Sequence, residues 1–209
     1  TEKPLATKLT NVSKPEDFGY SPGRISPGGS TMVYVSGRHI WKYNIKTDRS
    51  TQLITGFYPS WYPDGNKIVL VRKNESESGL NTSIWSMNKD GTNLTQIISS
   101  DKESLIIQPD VSPDGKRITY VKATLEMSDG FLGIGGDSNV LNNLRGGSQY
   151  NNPDIFISDT DGSDTVRLTT NPFFDIEPKW ISNQRIVFTS SRPKSRDEEG
   201  NLNIWTLEV

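Results

Sequence analysis

The chain contains no cysteine in 209 residues and a single histidine, His39. Without thiolates there is neither a disulfide framework nor a cysteine-ligated metal, and the redox compartment cannot be read from the sequence. One histidine also excludes any site that needs two imidazole ligands from one chain. A Ser-His-Asp arrangement would have to use His39 as its base, yet no Gly-x-Ser-x-Gly elbow occurs anywhere. Long apolar runs are missing as well. Pieces such as Ile68 to Val71 and Leu105 to Ile107 fall far short of the roughly 20 residues of a membrane helix, which argues against membrane insertion. Nor does one charge dominate: the net charge is −2 with acidic and basic residues interspersed, so the clustered Lys/Arg footprint of a nucleic-acid binder is absent. The glycine cluster Gly133-Ile134-Gly135-Gly136 lacks the remaining positions of a dinucleotide or phosphate loop, so no cofactor is implied.

What the chain does have is a repeat. Residues 58 to 72 read YPSWYPDGNKIVLVR, a Pro-Asp-Gly turn followed by a β-branched run. Pro63 presets φ and Gly65 permits the left-handed conformation of a tight reversal, so the unit predicts a β-hairpin. It recurs at Arg24 to Gly29, Ser60 to Gly65, Asp110 to Gly115 and Lys179 to Asn183. Each copy leads into an apolar run: Met32 to Val35, Ile68 to Val71, Ile118 to Val121, and Ile186 to Thr189. A third strand is predicted at the Ile-aromatic pairs Ile40-Trp41, Ile84-Trp85, Ile155-Phe156 and Ile204-Trp205. A fourth carries a polar-then-apolar step at Gln52-Leu53, Gln96-Ile97 and Arg167-Leu168, after turns such as Asp90-Gly91 and Asp161-Gly162.

The last unit ends at Val209 on its third strand, and Lys8-Leu9-Thr10 matches the fourth-strand pattern of Arg167-Leu168-Thr169. The expectation is therefore an all-β β-propeller of four blades, each of four antiparallel strands, with the N-terminal strand completing the last blade and closing the ring. Residues 1–209 are expected to form a single domain, with blades at 22–56, 57–99, 108–170 and 176–209 plus 5–11, and an insertion at 123–152. A closed monomer is the preferred arrangement, with a half-ring that dimerises as the alternative. The chain opens on Thr1 with no apolar leader, which suits a processed form.

The Pro-x-Trp-x-Pro-Asp-Gly hairpin at Pro59 to Gly65, the Ile-aromatic third strand, and the Asp-Gly-x-x-x-x-Arg-Leu-Thr stretch at Asp161 to Thr169 resemble the TolB-type (WD40-like) β-propeller repeat. That resemblance implies a periplasmic or secreted bacterial protein with protein contacts in the cell envelope. It also implies alternatives, since similar repeats form propellers that gate peptidases or build polysaccharide lyases. A non-enzymatic binding module is expected, with a protein or peptide partner, a carbohydrate being the alternative.

In such a blade the second-to-third and fourth-to-first connections open on one face, and tight turns occupy the other. The long connections at 73–82, 123–152 and 191–203 make the first of these the expected binding face. Candidate contacts are Phe131, Asp137, Arg145 and Tyr150 in the 123–152 insertion. On the fourth-to-first segments they are Phe57, Tyr58, Phe173 and Phe174, which would be either displayed or packed between blades, with Asp175 beside them. The run Asp159 to Asp164 alternates carboxylates around Gly162 as part of a calcium loop would, but it lacks the closing bidentate acid, so a hairpin turn explains it and no metal is expected.

Overall fold

A computed structural model describes residues 23–74, 81–100, 104–124, 153–193 and 202–209. Among them the chain is all-β, in four antiparallel sheets that follow one another along the sequence. The first comprises β1 (Arg24–Ile25), β2 (Thr31–Ser36), β3 (His39–Asn44) and β4 (Arg49–Thr55). The second holds β5 (Phe57–Trp61), β6 (Lys67–Lys73), β7 (Thr82–Asn88) and β8 (Thr95–Ile98). The third holds β9 (Ser104–Val111), β10 (Arg117–Thr124), β11 (Asp154–Asp159) and β12 (Val166–Arg167). The fourth shows three strands among the described residues, β13 (Asp175–Ser182), β14 (Arg185–Ser190) and β15 (Asn203–Glu208). The segment 8–10, expected to complete this blade, lies outside the described residues. So does all of the 123–152 insertion except Ala123 and Thr124.

The first-to-second reversals form as the sequence dictates. Gly29, Gly65 and Gly115 take left-handed φ, and their amides donate to the Ser26, Tyr62 and Ser112 carbonyls at 2.8–2.9 Å. Asp114 Oδ1 accepts from the Lys116 amide (3.1 Å) and the Ser112 hydroxyl (2.6 Å), fixing the turn with its own carboxylate. The fourth hairpin has no glycine; it closes over Asn183-Gln184 with Ser182 paired to Arg185. Between third and fourth strands, Asp90 and Asp161 cap their turns in the same way, each accepting from the amide and hydroxyl of the residue two positions on.

The continuous apolar run of β6 is explained by burial on both faces. Ile68, Leu70 and Val71 join a core cluster that reaches Val33 in the first sheet, Leu105 in the third and Ile176 in the fourth. Val69 points the other way, into a cluster with Ile84, Ile106, Ile118 and Tyr120. Burying each such side chain contributes about 1.5–3 kcal/mol. Ile157, Trp180 and Ile186 then join the third sheet to the fourth.

Adjacent blades are also stitched by polar contacts along their innermost strands. Ser60 Oγ and Lys179 Nζ both donate to Asp110 Oδ1, at 3.1 and 2.8 Å, while the Trp180 amide donates to Oδ2 at 3.0 Å. The Trp61 and Trp180 indoles donate to the Arg24 and Asp110 carbonyls of the preceding blades, at 2.9 and 3.2 Å. The same strands share an irregularity that the sequence did not suggest. Tyr58, Gln108 and Glu177 all have φ near +50° and all stand immediately before a proline, Pro59, Pro109 or Pro178. The register slips at each of these places. Proline has no amide to give to the ladder, so it is tolerated where each strand bulges.

Candidate functional site

The site is built on the third blade, on the sheet face that turns toward the second, at the end that carries the long connections. Antiparallel pairing sets Lys122 opposite Asp154, Tyr120 opposite Phe156, and Phe156 opposite Arg167. Directly paired residues project to one side, so Lys122, Asp154, Phe156 and Arg167 share a sheet face. With Thr124 and the segment Thr170-Asn171-Pro172 they line a cleft of about 440 Å3. Phe156 is its aromatic wall, backed by Tyr120 with ring centroids 5.8 Å apart.

Asp154 forms the floor and is nearly fully buried. One oxygen accepts from Arg167 Nη2 and the other from the Thr169 hydroxyl at 3.1 Å. Arg167 Nε is fixed to the Thr169 carbonyl at 2.9 Å, and Thr169 Oγ1 also accepts from the Ile155 amide at 3.0 Å. Burial pushes the Asp154 carboxyl above its ordinary value, against the opposing hydrogen bonds from Arg167 and Thr169. Its contribution to stability is therefore complete below pH 3.8 and declines as pH rises, which makes the ionised form dependent on those two partners.

Asn171 connects the cleft to a second buried carboxylate. Its Nδ2 donates to Asp175 Oδ2 at 2.7 Å. Asp175 is fully buried and also accepts from Arg192 Nη2 (2.6 Å) and Ser190 Oγ (2.5 Å). The Arg192 guanidinium lies over Phe188 and Trp205, 5.2 and 5.0 Å from their centroids. Charge pairing and cation–π contact thus lock the end of β14 to β15 and to the start of β13.

Several expected contact residues stand elsewhere. Phe57 and Tyr58 were expected on the binding face; the structure corrects this, for both are buried in the main core cluster. Burial drives the Tyr58 hydroxyl far above its ordinary value. The physical reason is the bulge at Tyr58-Pro59, which turns this segment into the core instead of across it. Phe173 and Phe174 are half-buried, Phe174 packing on the same cluster and exchanging hydrogen bonds with Ser191. Asp175 is not displayed but ion-paired. Phe131, Asp137, Arg145 and Tyr150 lie outside the described residues. Lys122, Asp154, Arg167, Asn171 and Arg192 were not anticipated. The signal was available in part, because Asp154 precedes the Ile-aromatic pair directly and Arg167 begins the Arg-Leu-Thr step.

No protein-family model matches the chain, and no curated protein matches it. Solved structures do. TolB from Acinetobacter baumannii superposes with a TM-score of 0.59 at 17% identity, over 89% of this chain and 40% of its own. An acylaminoacyl peptidase from Pyrococcus horikoshii gives 0.62 at 16% identity, over 95% of this chain and 33% of its own. An oligogalacturonate lyase from Vibrio parahaemolyticus gives 0.58 at 12%, over 93% and 54%. The chain thus spans between a third and a little over half of these proteins. At such identities the likeness speaks for fold alone: the chain has the blade fold of the TolB-type β-propellers.

Proposed function

We propose that the chain is a non-catalytic binding propeller of TolB-like type, which presents its loop-rich face to a protein or peptide partner in the bacterial envelope or outside the cell. The observation that carries this reading is the open polar cleft on the third blade, with both nearby carboxylates committed to arginines. Asp154 with Arg167, and Asp175 with Arg192, are each held in ion pairs. A carboxylate fixed in this way shapes a surface; a general acid or base needs a proton that it can exchange with substrate. The peptidase and the lyase among the structural neighbours share these blades at 16% and 12% identity, a likeness of fold that carries no activity with it.

Ring closure belongs to the same reading. β15 has no fourth strand beside it among the described residues, and Ile204 on it is exposed, which supports pairing of the 8–10 segment there.

Hydrogen–deuterium exchange of the purified chain, with and without pools of capped peptides, tests the function. Protection gathered at the ends of β10, β11 and β12 is the expected result. Saturable binding of neutral oligosaccharides to that face, with no effect of peptides, would replace the reading by the carbohydrate one.

A further inference from the structure

We propose that the four blades form an open arc, and that a second copy of the chain completes the ring by laying its first blade on the fourth blade of the other. This concerns how the molecule closes and is independent of what the third-blade cleft binds.

A repeat unit cannot bury its apolar faces alone and relies on its neighbours to cover them. Strand register allows the same position to be compared in every blade. On the face that a blade turns toward its predecessor, Ile25 stands where Trp61, Val111 and Trp180 stand, each opposite an apolar residue of the second strand. Those three are 8–9% exposed, whereas Ile25 is 62% exposed. On the opposite face, Ile204 pairs with Thr189 as Ile40, Ile84 and Ile155 pair with Val35, Val71 and Val121. Those three isoleucines are 0% exposed, whereas Ile204 is 65% exposed. The tight turns repeat the contrast. A Cβ at Gly65 would lie 3.6 Å from Pro27 of the preceding blade, and one at Gly115 would lie 3.4 Å from Pro63; around Gly29 nothing lies within 4 Å. The first blade thus lacks a predecessor and the fourth a successor.

The internal junctions say what fits these two faces. Ile40 and Trp61 share one core cluster across the first junction, and Ile84 and Val111 share another across the second. Ile204 and Ile25 are the residues that correspond to each of these pairs, so the two uncovered faces complement one another by packing already present in the molecule. Their exposure shows that they do not meet within one chain. A second copy supplies the missing face to each. Two copies related by a twofold axis satisfy both junctions at once, because each lends its first blade and receives on its fourth. Two sets of four sheets make an eight-bladed ring, within the roughly four to eight blades usual for propellers. Ring closure then takes place between two chains, and no junction face is left over.

Light scattering of the purified chain over a roughly hundredfold range of concentration tests the proposal. The expected mass is twice the 23.3 kDa of one chain. Ile25→Lys and Ile204→Glu alter side chains that are exposed in the single chain, so each should leave the far-ultraviolet circular dichroism spectrum unchanged. Each should also raise the dissociation constant on the order of a hundredfold, because it sets a lone charge into both junctions. An equimolar mixture of the two variants should dimerise again: the mixed pair has one junction intact and brings the two new charges, of opposite sign, together in the other. Dimers that neither variant weakens, or variants that stay apart when mixed, would overturn the assignment of these faces. A mass of one chain at every concentration would overturn the second copy as occupant and leave both faces to further blades or to a different protein. A ladder of larger species growing with concentration would overturn closure by two copies.

Discussion

At the scale of single residues, the position facing the next blade on the innermost strands has three different occupants, Ser60, Asp110 and Lys179, and they converge on one carboxylate. Burial pulls the Lys179 amine below its ordinary value and Asp110 opposes this. Replacing Asp110 by Asn should therefore destabilise the chain by about 2 kcal/mol, the low end for truncating one partner of a hydrogen-bonded charge pair, since this pair is only partly buried. Adding Lys179→Met to Asp110→Asn should restore part of the loss, because no unpaired ammonium then remains. Urea unfolding of the two single variants and the double variant reads this out, and strict additivity would show that the pair does not couple. Tyr62 offers a second check. Burial first, and then the Asp64 carboxylate, push its hydroxyl up to about 12 from 10.0. The folded value exceeds the unfolded one, so its contribution to stability is complete below pH 10.0 and is lost as pH rises through about 12. In an alkaline absorbance titration, Tyr62→Phe should remove a late-titrating tyrosinate and leave the earlier ones unchanged.

At the scale of elements, the blades nest through their turns. Gly162 has φ +90°, and a Cβ there would strike the Ile97 carbonyl oxygen of the preceding blade. Gly162→Ala should cost about 1–3 kcal/mol from backbone strain, before that clash is counted. Gly28→Ala, with open space around it and no left-handed φ, should be nearly neutral. Thermal melts of the pair test whether nesting or mere glycine content matters. The turns, the apolar second strands and the Ile-aromatic third strands were all legible in the sequence, because each depends on local chemistry: a φ that only certain residues tolerate, or an alternation that only one face satisfies. The bulges before Pro59, Pro109 and Pro178 were not. Tyr, Gln and Glu give no local sign of a left-handed backbone, which here is imposed by register with the neighbouring strand and by packing around the core. The cleft was illegible for a similar reason. Lys122, Asp154 and Arg167 stand far apart in sequence and meet only once the strands are paired.

At the scale of the molecule, one core cluster takes residues from all four sheets, so the blades should not melt independently. Tryptophan fluorescence and far-ultraviolet circular dichroism should report coincident urea transitions, whereas two separated transitions would mean that the end blades unfold on their own. The three bulge prolines bear on a different hazard. A strand on the inner margin of a sheet presents an unpaired row of amides and carbonyls, and such a row templates foreign strands. In β5, β9 and β13 that row is broken twice at the same place, by a missing donor at the proline and by a kink just before it. The first sheet has the alternative remedy, since β1 is only two residues long. The irregularity that the core imposes on these strands thus also protects them: an incoming chain finds no uninterrupted ladder to extend, and the inner margins stay unpaired without becoming sites of aggregation.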